Sequence, residues 1–139
     1  MGNVALDALW AKKSRTGELR WLPLCVHLSD TTEVARLLWD RHIPDGVKSR
    51  IASLCGCDEV KSRALFVFLA AVHDLGKATP SFQEIKAWLE NRDLDERITN
   101  RLRLAGYESK RIPCPKETPH ALCSQVLLEQ RFKRAVLST

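Results

Sequence analysis

The sequence lacks any run of 18 or more apolar residues, which excludes an ordinary membrane-spanning helix. Its longest apolar stretch, residues 64–72, is too short to cross a bilayer. No basic region precedes an apolar stretch near Met1, so we expect no secretory signal and a cytoplasmic chain with no membrane partner. Internal repeats, low-complexity tracts and the alternating pattern of strands are also lacking, which leaves helices as the main elements.

A cysteine-based framework is lacking too. The chain has five cysteines, and an odd number without a secretory signal argues against a set of disulfides. Cys55-Gly56-Cys57 resembles half of a zinc clip, but no second close pair of cysteine or histidine residues accompanies it. We therefore expect reduced, partly buried thiols.

The 139 residues are 45% hydrophobic and 28% charged, a composition typical of one globular domain. Lysine and arginine number 22 against 17 acidic residues, which gives a formal charge of +5. The basic residues concentrate in residues 12–20, 101–111 and 131–134. Such stretches are typical either of solvated helix faces or of a surface that follows a phosphate backbone, and charge alone leaves both open.

Helical periodicity begins with a capping signal. Asp30 is followed three residues later by Glu33, the spacing of a capping box, and an apolar stripe at helical spacing comes after it. This pattern predicts a first helix from Asp30 to the turn residues 44–46. A weaker helix is predicted over residues 47–54.

The apolar run of residues 64–72 and its continuation into His73-Asp74-Leu75 predict a helix that is buried on every side, with Gly76 as its left-handed C-terminal cap. Thr79-Pro80 is typical of a helix start, and the apolar face of this helix is predicted to extend to Trp88 and Leu89. A charged helix is predicted over residues 94–104.

Thr118-Pro119 predicts the start of the last helix, after a proline-broken loop over residues 108–115. Its predicted buried face consists of Leu122, Val126 and Leu127. Together these patterns predict an all-α chain.

The tryptophans divide by context. Trp39 and Trp88 lie on apolar helix faces, which favours packing in the core. Trp10 and Trp21 lie in a less regular basic stretch, which favours a surface role such as stacking on bases. His42, near a helix end, is interpreted as a surface or helix-dipole histidine.

His73 and Asp74 stand next to each other at the end of the most apolar predicted helix. A charge buried there costs several kcal/mol unless it has a partner. A divalent metal is one such partner, because imidazole nitrogen and carboxylate oxygen are both good ligands. A hydrogen-bonded pair at a helix end is the alternative that these two residues alone leave open.

The rest of the sequence bears on that choice. Four segments follow one another in the order His27-Leu28-Ser29-Asp30-Thr31, His73-Asp74-Leu75-Gly76-Lys77, Thr79-Pro80-Ser81-Phe82-Gln83 and Pro119-His120-Ala121-Leu122. This set resembles the HD superfamily of metal-dependent phosphohydrolases. More narrowly, it resembles the HD nuclease domain of the CRISPR-associated nuclease-helicases of type I CRISPR systems. Residues 22–39 and 68–82 carry most of the resemblance.

The resemblance implies an HD-type helical bundle around one or two divalent transition metals, of the manganese, cobalt, nickel or iron type. The implied metal ligands are His27, His73, Asp74 and His120, which we expect to converge, with Asp74 able to bridge two metals. It also implies catalytic roles for Asp74 and for Lys77, which would hold a phosphate or stabilise developing charge. The implied activity is that of a metal-dependent nuclease on single-stranded DNA in antiviral defence.

The sequence also departs from the family pattern. The family domain is longer, and after the histidine that matches His120 it carries a His-His pair and a later aspartate. This sequence has no histidine after His120, no aspartate after Asp95 and no Walker-type phosphate loop. We therefore interpret residues 1–139 as a truncated, N-terminal part of an HD nuclease domain without a helicase domain, poorly active alone. Its expected partners are the CRISPR surveillance complex or a C-terminal nuclease-helicase segment.

Two other interpretations stay open. One is a truncated HD-fold interaction protein that binds the surveillance complex or inhibits the full nuclease. The other is an unrelated basic all-α module that binds nucleic acid without catalysis and whose His-Asp pair is structural. Metal content separates the last interpretation from the others.

Overall fold

The computed structural model of the chain describes residues 6–14, 17–85, 91–107 and 118–137. Most of these residues are helical, which confirms the predicted all-α fold class. The helices of the described residues are α1 (Leu24–Arg41), α2 (Asp45–Cys55), α3 (Glu59–Val72), α4 (Pro80–Gln83), α5 (Arg92–Leu104) and α6 (His120–Leu137). The other elements are the 3-10 turns Leu6–Ala8 and Leu75–Ala78 and the strands β1 (Trp10–Lys13) and β2 (Trp21–Pro23). Within the described residues, no helix is both long and apolar enough to cross a membrane.

Contacts among the residues divide the chain into two compact units. The first comprises Met1–His27 and Asp74–Thr139, and the second comprises Leu28–His73. The first unit holds the two strands, the turn Leu75–Ala78 and α4 to α6. The second holds most of α1 together with α2 and α3.

The strands form a small antiparallel hairpin in the first unit, with Lys13 opposite Trp21. A distant side chain holds the connection between them, because Asn91 Nδ2 donates to the carbonyls of Ser14 and Glu18 at 3.2 Å each. Strands this short present too few residues for an alternating pattern to be visible. The hairpin therefore depends on tertiary contacts, and the sequence pattern did not predict it.

Trp10 lies inside this unit and not on its surface. It is buried, its Nε1 donates to the Gln83 carbonyl at 3.2 Å, and its ring centroid is 4.5 Å from that of Phe82. Trp21 is partly buried, with the Arg101 guanidinium 5.5 Å from its ring centroid. The predicted surface role is therefore wrong for Trp10, and the Trp21 ring is engaged in packing.

Helix α1 begins at Leu24, well before Asp30, so the predicted capping box is wrong. Leu24 is buried and its backbone N–H donates to the carbonyl of Leu9 at 2.8 Å. The end of the hairpin thus fixes the start of the helix, and Asp30 lies within it. The predicted break between the first two helices is confirmed, because α1 ends at Arg41, but Asp45 and Gly46 belong to α2 and not to a turn.

The second unit packs around Trp39, which is fully buried, as predicted. Its ring centroid lies 5.3 Å from that of Phe66 on α3. Arg63 on α3 donates to both carboxylate oxygens of Asp40 on α1, at 2.7 and 2.6 Å. These hydrogen bonds from Arg63 hold the pKa of Asp40 below its ordinary value.

Helix α3 is not buried on every side as predicted. Leu65, Phe68 and Leu69 are exposed, because neighbouring elements cover only part of its surface. The predicted burial of one face of α6 is also wrong, since Leu122, Val126 and Leu127 are exposed. Both helices therefore carry apolar surface that the described elements leave uncovered.

The segment after α3 also differs from its prediction. Helix α3 ends at Val72, and among the described glycines only Gly56 and Gly106 have positive φ. Gly76 is therefore not a left-handed cap but part of the turn Leu75–Ala78. Helix α4 begins at Pro80, as predicted, and ends at Gln83.

The later predictions have mixed outcomes. Trp88, Leu89 and the predicted loop at residues 108–115 lie outside the described residues. Helix α5 confirms the predicted charged helix, and Gly106, with φ of 77°, follows it. Helix α6 begins directly after Pro119, as predicted. His42 is exposed, in agreement with its interpretation as a surface histidine.

Candidate metal centre

Asp74 is the centre of the candidate site. It precedes the turn Leu75–Ala78, its side chain makes no capping hydrogen bond, and it is buried. His27 Nε2 and Lys77 Nζ each lie 2.7 Å from its Oδ2, and His120 Nε2 lies 3.2 Å from its Oδ1. A buried carboxylate needs such partners, because desolvation of an unpaired charge is costly.

The two histidines reach Asp74 from different helices. His27 lies in the first turns of α1, whose start is held by buried Leu24, and His120 is the first residue of α6. Each directs its Nε2 toward a different oxygen of the carboxylate. The structure thus brings together His27, Asp74 and His120, which are nearly one hundred residues apart along the chain. Imidazole nitrogens and carboxylate oxygens are donors that suit divalent transition metals, so this set fits such an ion.

His73 directly precedes Asp74 and caps the C-terminus of α3. Its Nδ1 lies 2.8 Å from the carbonyl oxygen of Ala70. A carbonyl only accepts, so this nitrogen carries the proton and donates. In the neutral ring the lone pair is then on Nε2, the nitrogen that can bind a metal. The Cα atoms of His73 and Asp74 are about 3.8 Å apart across their peptide bond.

Lys77 is enclosed and not free in solvent. Its ammonium group contacts Asp74 Oδ2, and the two side chains are only 9% and 10% exposed. The Lys77 ammonium also lies 5.6 Å from the ring centroid of Phe82, within the range of a cation–π contact. Lys77 therefore neutralises Asp74 directly. The two residues that the resemblance predicted to be catalytic contact each other.

The turn that carries Asp74 and Lys77 is held by hydrogen bonds from three side chains. Thr79 Oγ1 donates to the carbonyl of Gly76 at 2.6 Å, and Gln83 Nε2 donates to that of Lys77 at 2.7 Å. Tyr107 Oη donates to the carbonyl of Ala78 at 3.2 Å. Burial and the nearby Glu84 carboxylate raise the pKa of the Tyr107 phenol to about 12. Three consecutive carbonyls are thus fixed, which limits movement of the turn.

Gln83 connects the turn to the hairpin. Its Oε1 accepts from the backbone N–H of Trp10 at 3.1 Å, and its Nε2 donates to the carbonyl of Trp10 at 2.9 Å. Gln83 is buried, so all of these bonds are shielded from water. Phe82, its neighbour, places its ring edge-on to His120, with 5.4 Å between the centroids.

Comparisons with known proteins show the family of the chain. Residues 10–138 match the family model described as "Cas3, HD domain". The chain belongs to the Cas3 HD domain family.

The chain is 39% identical over 129 residues to the CRISPR-associated nuclease/helicase Cas3 of Streptococcus thermophilus, which covers 88% of this chain. It is also similar to a solved structure described as "Crystal structure of CRISPR-associated protein", with a TM-score of 0.64, 32% identity and 79% of this chain covered. The chain spans only 14% of the first relative's length and 12% of the second's.

Membership in the Cas3 HD family gives a context to the donor set, because HD domains are metal-dependent. Sequence reasoning missed the supporting roles of Gln83, Tyr107 and Ser124. Ser124 lies one helical turn after His120, so the spacing alone places the two on one face of α6. Gln83 has no such signal, because the hairpin residue that it contacts, Trp10, lies 73 residues away in the chain.

Proposed function

We propose that this chain is part of a metal-dependent HD nuclease module that acts on single-stranded DNA in type I CRISPR antiviral defence. The observation that carries the proposal is the convergence of His27 and His120 on opposite oxygens of the buried Asp74 carboxylate. Family membership gives the class of reaction. We infer a cytoplasmic location from the same relationship.

In this proposal the metal ligands are His27, His73, Asp74 and His120. A bound divalent transition metal polarises a phosphodiester oxygen and stabilises the negative charge that develops on it. The protein holds the donors in place: the hairpin fixes the start of α1, and Gln83 fixes the turn after Asp74. One ion or two, of the manganese, cobalt, nickel or iron type, fit these nitrogen and oxygen donors.

Asp74 and Lys77 are the proposed catalytic residues. Asp74 holds its charge in a buried position because Lys77 neutralises it. The Lys77 ammonium is then placed beside the donor set, where it attracts the phosphate of a bound strand. A single DNA strand that occupies the site therefore lies next to both the metal ligands and the Lys77 ammonium group.

The first test is the metal content of the purified chain, by elemental analysis after preparation without chelators. We expect bound transition metal in the wild type and a large loss in the double variant His73→Ala, Asp74→Ala. The matched control is His42→Ala, Asp45→Ala, which removes an exposed histidine and a carboxylate that is 94% exposed. Equal metal content in all three proteins would show that the His-Asp pair is structural, and a basic binding module would then be the better interpretation.

The second test is activity on circular single-stranded DNA in manganese, cobalt or nickel. We expect weak cleavage by the chain alone and stronger cleavage after addition of a matching C-terminal segment. Small misplacements of a catalytic group lower rates about a hundredfold. Strong cleavage by the chain alone, lost in Asp74→Ala, would contradict the proposed incompleteness and show that these residues suffice.

A second candidate function is that of an interaction module. Leu122, Val126, Leu127 and Phe132 on α6 are exposed, and Leu122 and Phe132 retain 53% and 55% of their accessible surface. Apolar surface of this kind favours association with another polypeptide. We propose a C-terminal nuclease-helicase segment or the surveillance complex as that partner. Binding of such a partner without any gain in cleavage, or inhibition of a full-length nuclease, would favour this candidate.

A further inference from the structure

Gly76 lies where the turn Leu75–Ala78 meets α6. A Cβ atom at this position would stand 2.0 Å from the carbonyl oxygen of His120, 2.6 Å from the backbone nitrogen of Ser124 and 2.7 Å from Cys123 Cβ. No side chain is tolerated at such distances, and two of these atoms belong to the helix backbone. Glycine is therefore required here by the approach of α6 and not by its backbone angles.

Ser124 joins the two elements at the same place. Its Oγ accepts from the backbone N–H of Gly76 at 2.7 Å and donates to the carbonyl of His120 at 3.0 Å. Ser124 is buried. A serine inside a helix often bonds back to the preceding turn, but that habit does not explain the bond from Gly76. The hydroxyl therefore connects the turn to the first residue of α6.

The contact between Gly76 and Ser124 connects the turn that carries Asp74 to the helix that carries His120. Gly76 is between Asp74 and Lys77 on the turn, and Ser124 is one turn after His120 on α6. The distance between the Asp74 carboxylate and the His120 imidazole therefore depends on how closely the turn and the helix approach. The hydroxyl of Thr79 donates to the carbonyl of Gly76, which also stabilises the turn.

We infer that Ser124, packed against Gly76, is a positioning residue that holds the His120 imidazole at the Asp74 carboxylate. The inference rests on the proposed metal site and adds to it a residue that is not a ligand. Partners that hold ligands in place commonly affect metal affinity by tenfold or more. Ser124 positions His120 through the backbone, because its hydroxyl bonds the carbonyl of His120 and the N–H of Gly76.

The experiment compares Ser124→Ala and the hydroxyl-retaining Ser124→Thr with the exposed-site control Ser49→Ala. Cobalt(II) affinity and the visible absorption spectrum of the bound cobalt are measured in the full chain, together with the unfolding midpoint in excess chelator. We expect Ser124→Ala to lose about tenfold in affinity and to change the spectrum. Ser124→Thr and Ser49→Ala are expected to stay close to the wild type.

A glycine series gives an independent comparison. Gly76→Ala is expected to lose cobalt affinity as well, whereas Gly46→Ala is the matched control, since a Cβ there would meet no atom within 4 Å. If Ser124→Ala lowers the unfolding midpoint but binds cobalt with unchanged affinity and spectrum, Ser124 is merely structural and the inference is overturned. If Ser124→Ala does not fold, Ser124→Thr decides: retained affinity supports the inference and lost affinity overturns it.

A readout without metal separates this inference from the proposed function. Imidazole nitrogen signals are recorded by NMR at one pH in the metal-free wild type and in Ser124→Ala. A change at His120 without a change at exposed His42 supports positioning, and no change at His120 overturns it. If the wild type binds no cobalt, the proposed metal site is wrong, and these signals alone decide whether Ser124 positions His120.

Discussion

Lys77 Nζ lies 2.7 Å from Asp74 Oδ2, and about nine-tenths of each side chain is enclosed by protein. This contact has a different character from the other lysine–aspartate pairs three residues apart in the chain. Lys61 and Asp58, for example, are 3.5 Å apart with side chains that are 74% and 57% exposed. Burial makes the first pair costly to separate, since either charge left alone would keep its desolvation penalty.

We predict that Lys77→Met strongly destabilises the metal-free chain. The loss is expected to be about 3–5 kcal/mol in the free energy of unfolding, because the variant removes the cation of a buried ion pair, while the contacts of Asp74 with His27 and His120 remain. A divalent metal supplies the missing positive charge, so added manganese is expected to restore part of the stability. Urea unfolding with and without manganese measures both effects.

The control for this prediction is Lys61→Met, which breaks an exposed pair of the same spacing. It is expected to change the free energy of unfolding by less than about 1 kcal/mol. Equal effects of the two substitutions would contradict the assignment of Lys77 to a buried ion pair. Recovery by manganese in Lys61→Met would show that the rescue has nothing to do with Asp74.

Gln83→Glu is predicted to loosen the turn that carries Asp74 and Lys77. The glutamate keeps the shape of the side chain but has no N–H to donate to the carbonyls of Trp10 and Lys77. Buried groups that lose a partner cost about 1–3 kcal/mol each, so we expect a loss of at least about 2 kcal/mol in urea unfolding. Gln125→Glu, at an exposed position on α6, is the matched control and is expected to be neutral. A Gln83→Glu variant as stable as the wild type would show that the amide does not support the turn.

The helices were largely predictable because their signals are local. Proline at the start of α4 and glycine after α5 act within a few residues of the position they mark. Trp10 was misinterpreted because its burial depends on Gln83, more than seventy residues away. The capping signal at Asp30 does not mark the start of α1. A hydrogen bond from the Leu24 N–H to the Leu9 carbonyl fixes that start at Leu24 instead.

The residues of the candidate site could be proposed from the sequence, but the residues that hold them in place could not. His27, Asp74 and His120 stand in sequence segments that resemble one family, and the structure brings them together. The need for glycine at position 76 was recognised, but for the wrong reason, because the atoms that exclude a side chain belong to α6. The role of Ser124 follows only from that approach, which no local pattern encodes.

The ion pair of Asp40 and Arg63 predicts how the stability of the second unit depends on pH. The pKa of Asp40 is lowered from 3.8 by hydrogen bonds from Arg63, so its stabilising contribution is present above pH 3.8. It is lost as the pH falls through the lower, folded-state pKa. We expect Arg63→Met to unfold at a lower urea concentration than the wild type at pH 7, with a difference that disappears in acid. Arg50→Met, at an exposed position on α2, should show no such pH dependence, and a difference for Arg63→Met that persists in acid would rule out this ion pair as its source.

The single tyrosine of the chain allows a direct test of the turn's surroundings, because tyrosinate absorbance then reports Tyr107 alone. Burial, and secondly the Glu84 carboxylate, raise its pKa from 10.0 to about 12. The hydrogen bond from the neutral phenol to Ala78 is therefore expected to persist below pH 10, and the associated stability to be lost as the pH rises toward 12. In Glu84→Gln the titration midpoint should fall but stay above 10.0, since burial remains, whereas Glu59→Gln at an exposed position should leave it unchanged. A midpoint near 10.0 in the wild-type chain would mean that Tyr107 is solvated and does not hold the carbonyl of Ala78 in place.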